Sequence, residues 1–179
     1  MKDAMDWLGQ QPDTLFLGQG VGMPGTKMSK DFEGVPAENR IEMPVAENFQ
    51  LGVSIGLALE GFMPVSIFPR INFLLCAVDQ LVNHLDKLPL YSEYKPKVII
   101  RTTLGVKEPI DAGPQHTGDL GGVLVAALET VEVHRIYRAE YKSGWDLWDE
   151  DLKAGFDADP LLVYQGAYLA RGSTLVIEG

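Results

Sequence analysis

Two polar residues, Glu47 and His116, lie where the sequence pattern predicts the ends of buried strands. Glu47 precedes the strongly apolar segment "NFQLGVSIGLAL", and His116 lies in the turn-rich segment "DAGPQHTGD". Ligands of open α/β sheets bind beyond the carboxyl ends of the strands, where a carboxyl group and an imidazole can transfer protons. An acidic residue in the first turn of a helix also interacts favourably with the helix dipole, by about 0.3–1 kcal/mol, so a purely structural role for Glu47 stays open.

A glycine-rich segment, "GQGVGMPG" at 18–25, follows a predicted strand and is a second candidate ligand site. Its glycines stand at 18, 20, 22 and 25. Because this is not the G-x-G-x-x-G spacing of a phosphate-binding loop, we interpret the segment as an ordinary flexible loop. The sequence contains no cysteine, histidine and carboxylate spacing typical of zinc, and no serine or cysteine motif of a hydrolase. We therefore predict no metal ligand.

A glycine pair within the apolar segment, Gly52 and Gly56, has the G-x-x-x-G spacing. Glycine inside a helix costs about 1 kcal/mol relative to alanine, so such residues usually mark a close neighbour. The pair therefore predicts tight packing against the sheet, another helix or a second subunit.

The elements that must position these residues alternate along the chain. Apolar runs of strand length occur at 14–18, 40–43, 63–68, 97–102, 131–136 and 160–164. They are rich in β-branched residues and lack polar alternation, which is typical of strands covered on both faces of a parallel sheet. Helical patterns occupy 46–61, 70–88, 117–129 and 144–156. The sequence predicts a single α/β domain, a three-layer α/β/α structure with a mainly parallel sheet of about six strands.

Composition limits the kinds of partner and location. The 25 acidic against 15 basic residues give a net charge of −10, which disfavours nucleic acid and anionic membranes as partners. The chain shows no pattern typical of a signal peptide, and its apolar stretches are shorter than the ~20 residues of a membrane span. The only cysteine, Cys76, excludes internal disulfides and is expected to be a small core residue. We therefore predict a soluble, cytoplasmic protein.

The order of these segments resembles the pyrimidine-binding domain of thiamine-diphosphate enzymes, in the transketolase-like superfamily. The likeness is greatest to the beta subunit of the decarboxylating component of 2-oxo acid dehydrogenase complexes, of the pyruvate or branched-chain type. It covers nearly the whole chain and is strongest over 40–87. That region combines an arginine, a Pro-x-x-Glu motif, a glycine-spaced helix, a Gly-x-x-Pro turn and an Asn-Phe…Asp-Gln pattern, at Arg40, Pro44, Glu47, Gly61, Pro64, Asn72, Phe73, Asp79 and Gln80.

The resemblance implies roles for individual residues. The family's glutamate at the position of Glu47 hydrogen-bonds a ring nitrogen of the cofactor's aminopyrimidine and shifts that ring towards the tautomer that can act as a base. Phe73 matches an aromatic residue that packs on the pyrimidine, although a core phenylalanine would have the same pattern. His116 matches a loop histidine that faces the substrate, where it could transfer protons or stabilise an oxyanion. For Arg101 we expect only a role in ordering a loop.

Two departures from the family pattern concern the cofactor. Gln19 stands where the family commonly has a glutamate. The Gly-Asp-Gly…Asn motif, which holds magnesium and the diphosphate, is absent from the sequence. The resemblance therefore implies that magnesium and the diphosphate lie on a partner chain. The family's C-terminal domain is also missing, so 1–179 is expected to be a transketolase-like pyrimidine-binding domain alone.

Taken together, the resemblance implies a beta-type subunit of a split thiamine-diphosphate-dependent enzyme. The reaction would be decarboxylation of a 2-oxo acid, or transfer of its acyl or aldehyde unit, with the cofactor at the interface with an alpha-type subunit. The beta chains would also self-associate, giving a heterotetramer. Two alternatives stay open: a transketolase-like half that acts on sugars, and a non-catalytic binding or regulatory partner.

Overall fold

The computed structural model describes residues 1–25, 28–105, 111–136 and 159–179, and in these ranges six short parallel strands form one sheet. The strand order is β2-β1-β3-β4-β6-β5. The strands are β1 (Thr14–Gly18), β2 (Arg40–Glu42), β3 (Met63–Phe68), β4 (Ile99–Thr103), β5 (Glu132–Ile136) and β6 (Thr174–Glu178). The predicted parallel sheet is therefore confirmed.

Helices cover both faces of this sheet. They are α1 (Lys2–Gly9), α2 (Glu47–Leu59), α3 (Ile71–Leu74), α4 (Leu88–Tyr91), α5 (Gly121–Ala127) and α6 (Pro160–Leu169). One core contains buried residues of α2, α5 and the helical segment at 71–85, and the other contains those of α1 and α6. The neighbouring residues Ile99 and Ile100 of β4 enter opposite cores, as alternation along a strand requires. This arrangement confirms the three layers.

The predicted strand at 160–164 is wrong, because the chain there belongs to α6. Asp159 caps this helix, since its carboxylate accepts a hydrogen bond of 2.9 Å from the backbone N–H of Leu161. Pro160 occupies the first turn, where a missing N–H costs nothing. The sixth strand is β6, which the pattern analysis did not identify.

The helix predicted over 70–88 is not uniform. α3 passes into a 3₁₀ turn at Leu75–Ala77 and then into a π-helix at Gln80–Leu85. The expectation for Cys76 is also wrong, because its side chain is exposed on the 3₁₀ turn. The helix predicted over 144–156 lies outside the described residues. Among the residues described, no helix is long and apolar enough to cross a membrane.

A buried carboxylate ties the end of this helical segment to the start of β5. Asp86 is fully buried, and its Oδ1 accepts hydrogen bonds from the backbone N–H groups of Glu129, Thr130 and Val131 at 2.9, 2.7 and 3.0 Å. Its Oδ2 lies 2.8 Å from Nζ of Lys87. Burial alone raises the pKa of Asp86, but the Lys87 ammonium and the three N–H donors outweigh it and lower the pKa to about 2.

Acid should therefore remove part of the folding stability through Asp86. Because the folded-state pKa lies below the ordinary value of 3.8, the stabilisation is complete above that value and is lost as the pH falls towards 2. The shift corresponds to roughly 2 kcal/mol. Asp86→Asn lacks this titrating group. Between about pH 6 and about pH 2, its free energy of unfolding, measured with urea, should therefore fall by roughly 2 kcal/mol less than that of the unmodified chain. Parallel losses in the two proteins would contradict this assignment.

Candidate active site

A crevice is expected where the strand order changes direction. From β1 the chain continues to β2 on one side, whereas β3 and the following strands lie on the other, so β1 and β3 flank the switch point. The two strands approach closely beside Gly18, where an added Cβ would lie 2.6 Å from the carbonyl oxygen of Ile67. Only glycine fits this position without a shift of the backbone. The carboxyl ends of β1 and β3 therefore form one tightly joined edge.

Glu47 lies at this edge as the first residue of α2, five residues beyond the end of β2. The residue is 8% exposed. Its Oε1 accepts a long hydrogen bond, 3.4 Å, from Nε2 of Gln19, which directly follows β1. Its Oε2 accepts no hydrogen bond from the residues that the structure describes. The carboxyl group is therefore nearly buried, and one of its oxygens is available to a ligand.

Gln50 fixes the helix turn that carries Glu47. Its side chain is buried, and Nε2 donates towards the carbonyl oxygens of Ile67 and Leu17 at 3.0 and 3.3 Å and towards Oγ of Ser66 at 3.1 Å. These oxygens belong to β1 and β3, so the amide joins the first turn of α2 to both strands. Residues three apart share a helix face, which places Gln50 beside Glu47. The sequence analysis missed this role, although a glutamine in an apolar helix was a signal.

Phe73 and His116 are brought together beyond the ends of β3 and β4. Their ring centroids are 5.5 Å apart, with the planes inclined at 43°. Both side chains are half-buried, and the backbone N–H of His116 donates to the carbonyl oxygen of Gly113 at 3.0 Å. Nδ1 of His116 and Oδ1 of the neighbouring Asn72 are buried, and neither has a hydrogen-bond partner within the described ranges. Two polar atoms beside this ring pair thus lack a hydrogen-bond partner among the described residues.

The glycine-rich segment is held by Glu42 rather than directed towards a ligand. The backbone N–H groups of Gly20 and Gly22 each donate to the Glu42 carboxylate at 2.7 Å. Glu42 ends β2 opposite Gly18 in the sheet register. Because these two N–H groups are already satisfied, the segment does not offer the donors of a phosphate-binding loop. The interpretation of 18–25 as an ordinary loop agrees with this geometry.

Arg101 forms a buried ion cluster on the opposite face of the sheet from α2. Its Nε lies 2.8 Å from Glu178 Oε1, and Nη2 donates to Asp31 in the segment before β2. Burial lowers the pKa of Arg101, but the charges of Glu178, Tyr164 and Asp31 raise it further above its ordinary value. Burial and Glu178 also raise the pKa of Tyr164, whose hydroxyl donates to Glu178 at 2.7 Å. The contact with Asp31 agrees with a loop-ordering role.

The described residues include no group of three or more histidine, cysteine, aspartate or glutamate side chains that could hold a metal ion. Within the described ranges no hydrogen bond or ring contact joins Glu47 to Phe73 or His116, so their association rests on the shared edge of the sheet. At that edge the structure offers a carboxyl oxygen, an aromatic face, an imidazole and an orphaned amide oxygen. Such a set suits a planar, nitrogen-containing ring better than a metal ion or a bare phosphate.

Comparison with known proteins gives both sequence and structural relatives. No protein-family model matches the chain. The "Pyruvate dehydrogenase E1 component subunit beta" of Chaetosphaeridium globosum is 31% identical over 118 residues, which are 63% of this chain and 36% of that protein. The "Pyruvate dehydrogenase E1 component subunit beta-4, chloroplastic" of Oryza sativa subsp. japonica is 30% identical over 108 residues, 58% of this chain and 27% of that protein. The chain thus spans about a third of the length of the curated relatives it matches.

The structural relative extends over nearly the whole chain. A solved structure described as "Split gene transketolase, inactive beta4 tetramer" matches with a TM-score of 0.68 and 19% identity, covering 98% of this chain and 48% of that one. At this identity the match shows the fold. The predicted resemblance to beta subunits of 2-oxo acid dehydrogenases, on a transketolase-like fold, is therefore confirmed. A cytoplasmic location stays a prediction, since one relative is chloroplastic.

Proposed function

We propose that the chain is a beta-type subunit of a split thiamine-diphosphate-dependent enzyme, with 1–179 as its pyrimidine-binding domain. The enzyme decarboxylates a 2-oxo acid or transfers the acyl or aldehyde unit derived from it. The observation that carries the proposal is the nearly buried carboxyl group of Glu47, with one oxygen available, at the ligand edge of the sheet. The sequence likeness to pyruvate dehydrogenase beta subunits supports the substrate class.

The residues at this edge fit the pyrimidine half of the cofactor. Oε2 of Glu47 can share a proton with a ring nitrogen, and the ring of Phe73 offers an apolar face for stacking. The orphaned Oδ1 of Asn72 can accept a hydrogen bond from an exocyclic amino group. When bound, thiamine diphosphate supplies the carbanion chemistry, and the protein supplies position and electrostatics.

The remaining groups orient Glu47 and handle protons. Gln50 holds the first turn of α2 against β1 and β3, and Gln19 occupies Oε1, so that Oε2 is the atom left to exchange a proton. His116 faces the substrate and transfers a proton to it or stabilises a developing oxyanion. Its contact with Phe73 fixes the orientation of the imidazole. Oε2 of Glu47 and Nδ1 of His116 have no competing hydrogen-bond partner in the described ranges.

The diphosphate half of the site belongs to another chain in this proposal. The sequence lacks the Gly-Asp-Gly…Asn motif, and the described residues offer no metal-binding cluster. Two apolar side chains close to Glu47 in sequence, Val45 and Phe49, are 79% and 60% exposed. Exposed apolar residues grouped around a functional position are typical of an interaction surface. An alpha-type subunit that brings magnesium and the diphosphate site would cover them.

Gly56 in α2 allows a test of whether beta chains associate through this helix. A Cβ added there would meet no atom of the described residues within 4 Å, so the predicted tight packing at this glycine is wrong within the chain. Gly56→Ala should therefore stabilise the isolated fold by about 0.5–1 kcal/mol through helix propensity. If α2 packs against α2 of a second chain, the same change should weaken self-association in sedimentation velocity experiments.

The matched control is Gly166→Ala in α6, where an added Cβ also meets nothing within 4 Å. It should stabilise the fold by a similar amount and leave association unchanged. If Gly56→Ala associates as tightly as the control, α2 is not the contact between beta chains.

A transketolase-like half acting on sugars is the second candidate. The structural match to a split transketolase supports it, but at 19% identity this support concerns the fold. The two candidates differ in substrate, so reconstituted enzyme should be offered 2-oxo acids and sugar phosphates in parallel. Turnover of 2-oxo acids alone is the expected result.

Affinity isolation of the chain from its native cells, followed by mass spectrometry, tests the proposal. The expected result is a stoichiometric partner that carries Gly-Asp-Gly…Asn. A chain recovered alone or with an unrelated protein would contradict the catalytic proposal and favour the non-catalytic binding role.

A further inference from the structure

A cavity of about 420 Å³ lies between the glycine-rich segment, residues 29–33 and the start of β2. This volume is within the usual range for a small-molecule site. Three residues of the glycine-rich segment form part of the wall, and four polar or charged residues form the rest; the lining is Gly22, Pro24, Gly25, Ser29, Lys30, Glu33 and Arg40. Neither Glu47, Phe73 nor His116 lines it, so the cavity is separate from the site described above.

Arg40 enters this cavity without an acidic partner. The residue is half-buried at the start of β2, and its Nε is buried without a hydrogen-bond partner in the described part of the chain. The guanidinium makes only a marginal contact, 3.5 Å from Nη1 to the carbonyl oxygen of Val21. No carboxylate of the described residues lies within 4.0 Å of it. An arginine withdrawn from water in this way is stabilised when an anion completes its hydrogen bonds.

A second cationic side chain lines the same cavity. Lys30 is exposed and forms no ion pair within the described ranges. Glu33 also lines the cavity, but two cations against one carboxylate still favour an anion over a cation.

We propose that this cavity binds a small oxyanion, a free phosphate or carboxylate or the same group on a small metabolite. The guanidinium of Arg40 holds the oxyanion through its planar array of N–H donors, and the ammonium of Lys30 adds a second charge-assisted contact. The N–H groups of Gly20 and Gly22 take no part, because both are bound to Glu42. Recognition therefore rests on side chains and does not depend on the proposed cofactor.

Titration of the chain 1–179 with inorganic phosphate, and separately with acetate, at constant ionic strength tests the proposal by calorimetry. We expect saturable binding of at least one of the two, weakened about tenfold or more by Arg40→Gln and several-fold by Lys30→Gln. The ion that binds identifies the preferred group. If Arg40→Gln does not fold, the affinity of Lys30→Gln alone tests the proposal, since the side chain of Lys30 is exposed and supports no described contact.

The control is Arg171→Gln, which makes the same change of charge at an exposed residue that lines a different cavity. Its affinity should equal that of the unmodified chain. The proposal is overturned if neither ion binds saturably, or if Arg40→Gln and Lys30→Gln bind as tightly as the control.

Discussion

Glu47→Gln should lower turnover of the reconstituted two-chain enzyme by at least about 100-fold. The amide keeps the shape of the side chain and can still contact Gln19, but it cannot exchange a proton at the position of Oε2. Steady-state rates with 2-oxo acids, the proposed substrate class, provide the measurement. Glu60→Gln is the matched control, because this exposed residue lies just beyond the other end of the same helix.

The fold should survive this substitution. Glu47 makes a single long hydrogen bond in the described structure, and Gln50 carries the contacts that join α2 to the sheet. Loss of the charge at the helix start should cost only about 0.3–1 kcal/mol. Urea unfolding separates the two effects. Full turnover in Glu47→Gln would remove the mechanism proposed here, whereas an unfolded variant would show that Glu47 has a mainly structural role.

Asp86→Ala should destabilise the fold by about 3 kcal/mol or more, the largest effect expected on stability. The substitution leaves the backbone N–H groups of Glu129, Thr130 and Val131 without their acceptor. Each buried donor without a partner costs about 1–3 kcal/mol. It also removes the charge that pairs with Lys87. Urea unfolding at neutral pH measures the difference directly.

Asp79→Ala controls for the loss of a carboxylate from the same helical segment. Asp79 is exposed, accepts one hydrogen bond of 2.8 Å from Asn83 and lies 3.6 Å from His84. Its removal should change the free energy of unfolding by less than about 1 kcal/mol. If Asp86→Ala costs no more than this control, the carboxylate does not hold the loop before β5.

The sequence predicted the centre of the sheet well because the strands there have a simple pattern. β1 and β3 begin and end at the predicted residues, since strands covered on both faces are mostly apolar and a glycine or proline, Gly18 or Pro69, marks their ends. The same apolarity caused the error at 160–164, where "PLLVY" has the composition of a strand. The Asp159-Pro160 pair, a helix cap followed by a first-turn proline, is the sequence signal that favours a helix at 160–164.

Residues whose roles depend on distant segments could not be found from local patterns. Asp86 binds N–H groups more than 40 residues later in the chain, and Gln50 binds oxygens of two separate strands. The roles of Glu47, Phe73 and His116 were predicted through the family resemblance, because the pattern alone gave Glu47 and His116 only positions near strand ends. The contact between Phe73 and His116 needed the folded chain, since it joins segments that follow different strands.

The proposed role of Glu47 can be tested by the rate at which the reactive carbon-bound proton of thiamine diphosphate exchanges with deuterium in the two-chain complex. If Glu47 shares a proton with the pyrimidine, exchange in Glu47→Gln should be at least about 100-fold slower than in the unmodified complex at equal cofactor occupancy. Equal exchange rates in the two complexes would contradict the assignment of Glu47 as the cofactor's proton partner.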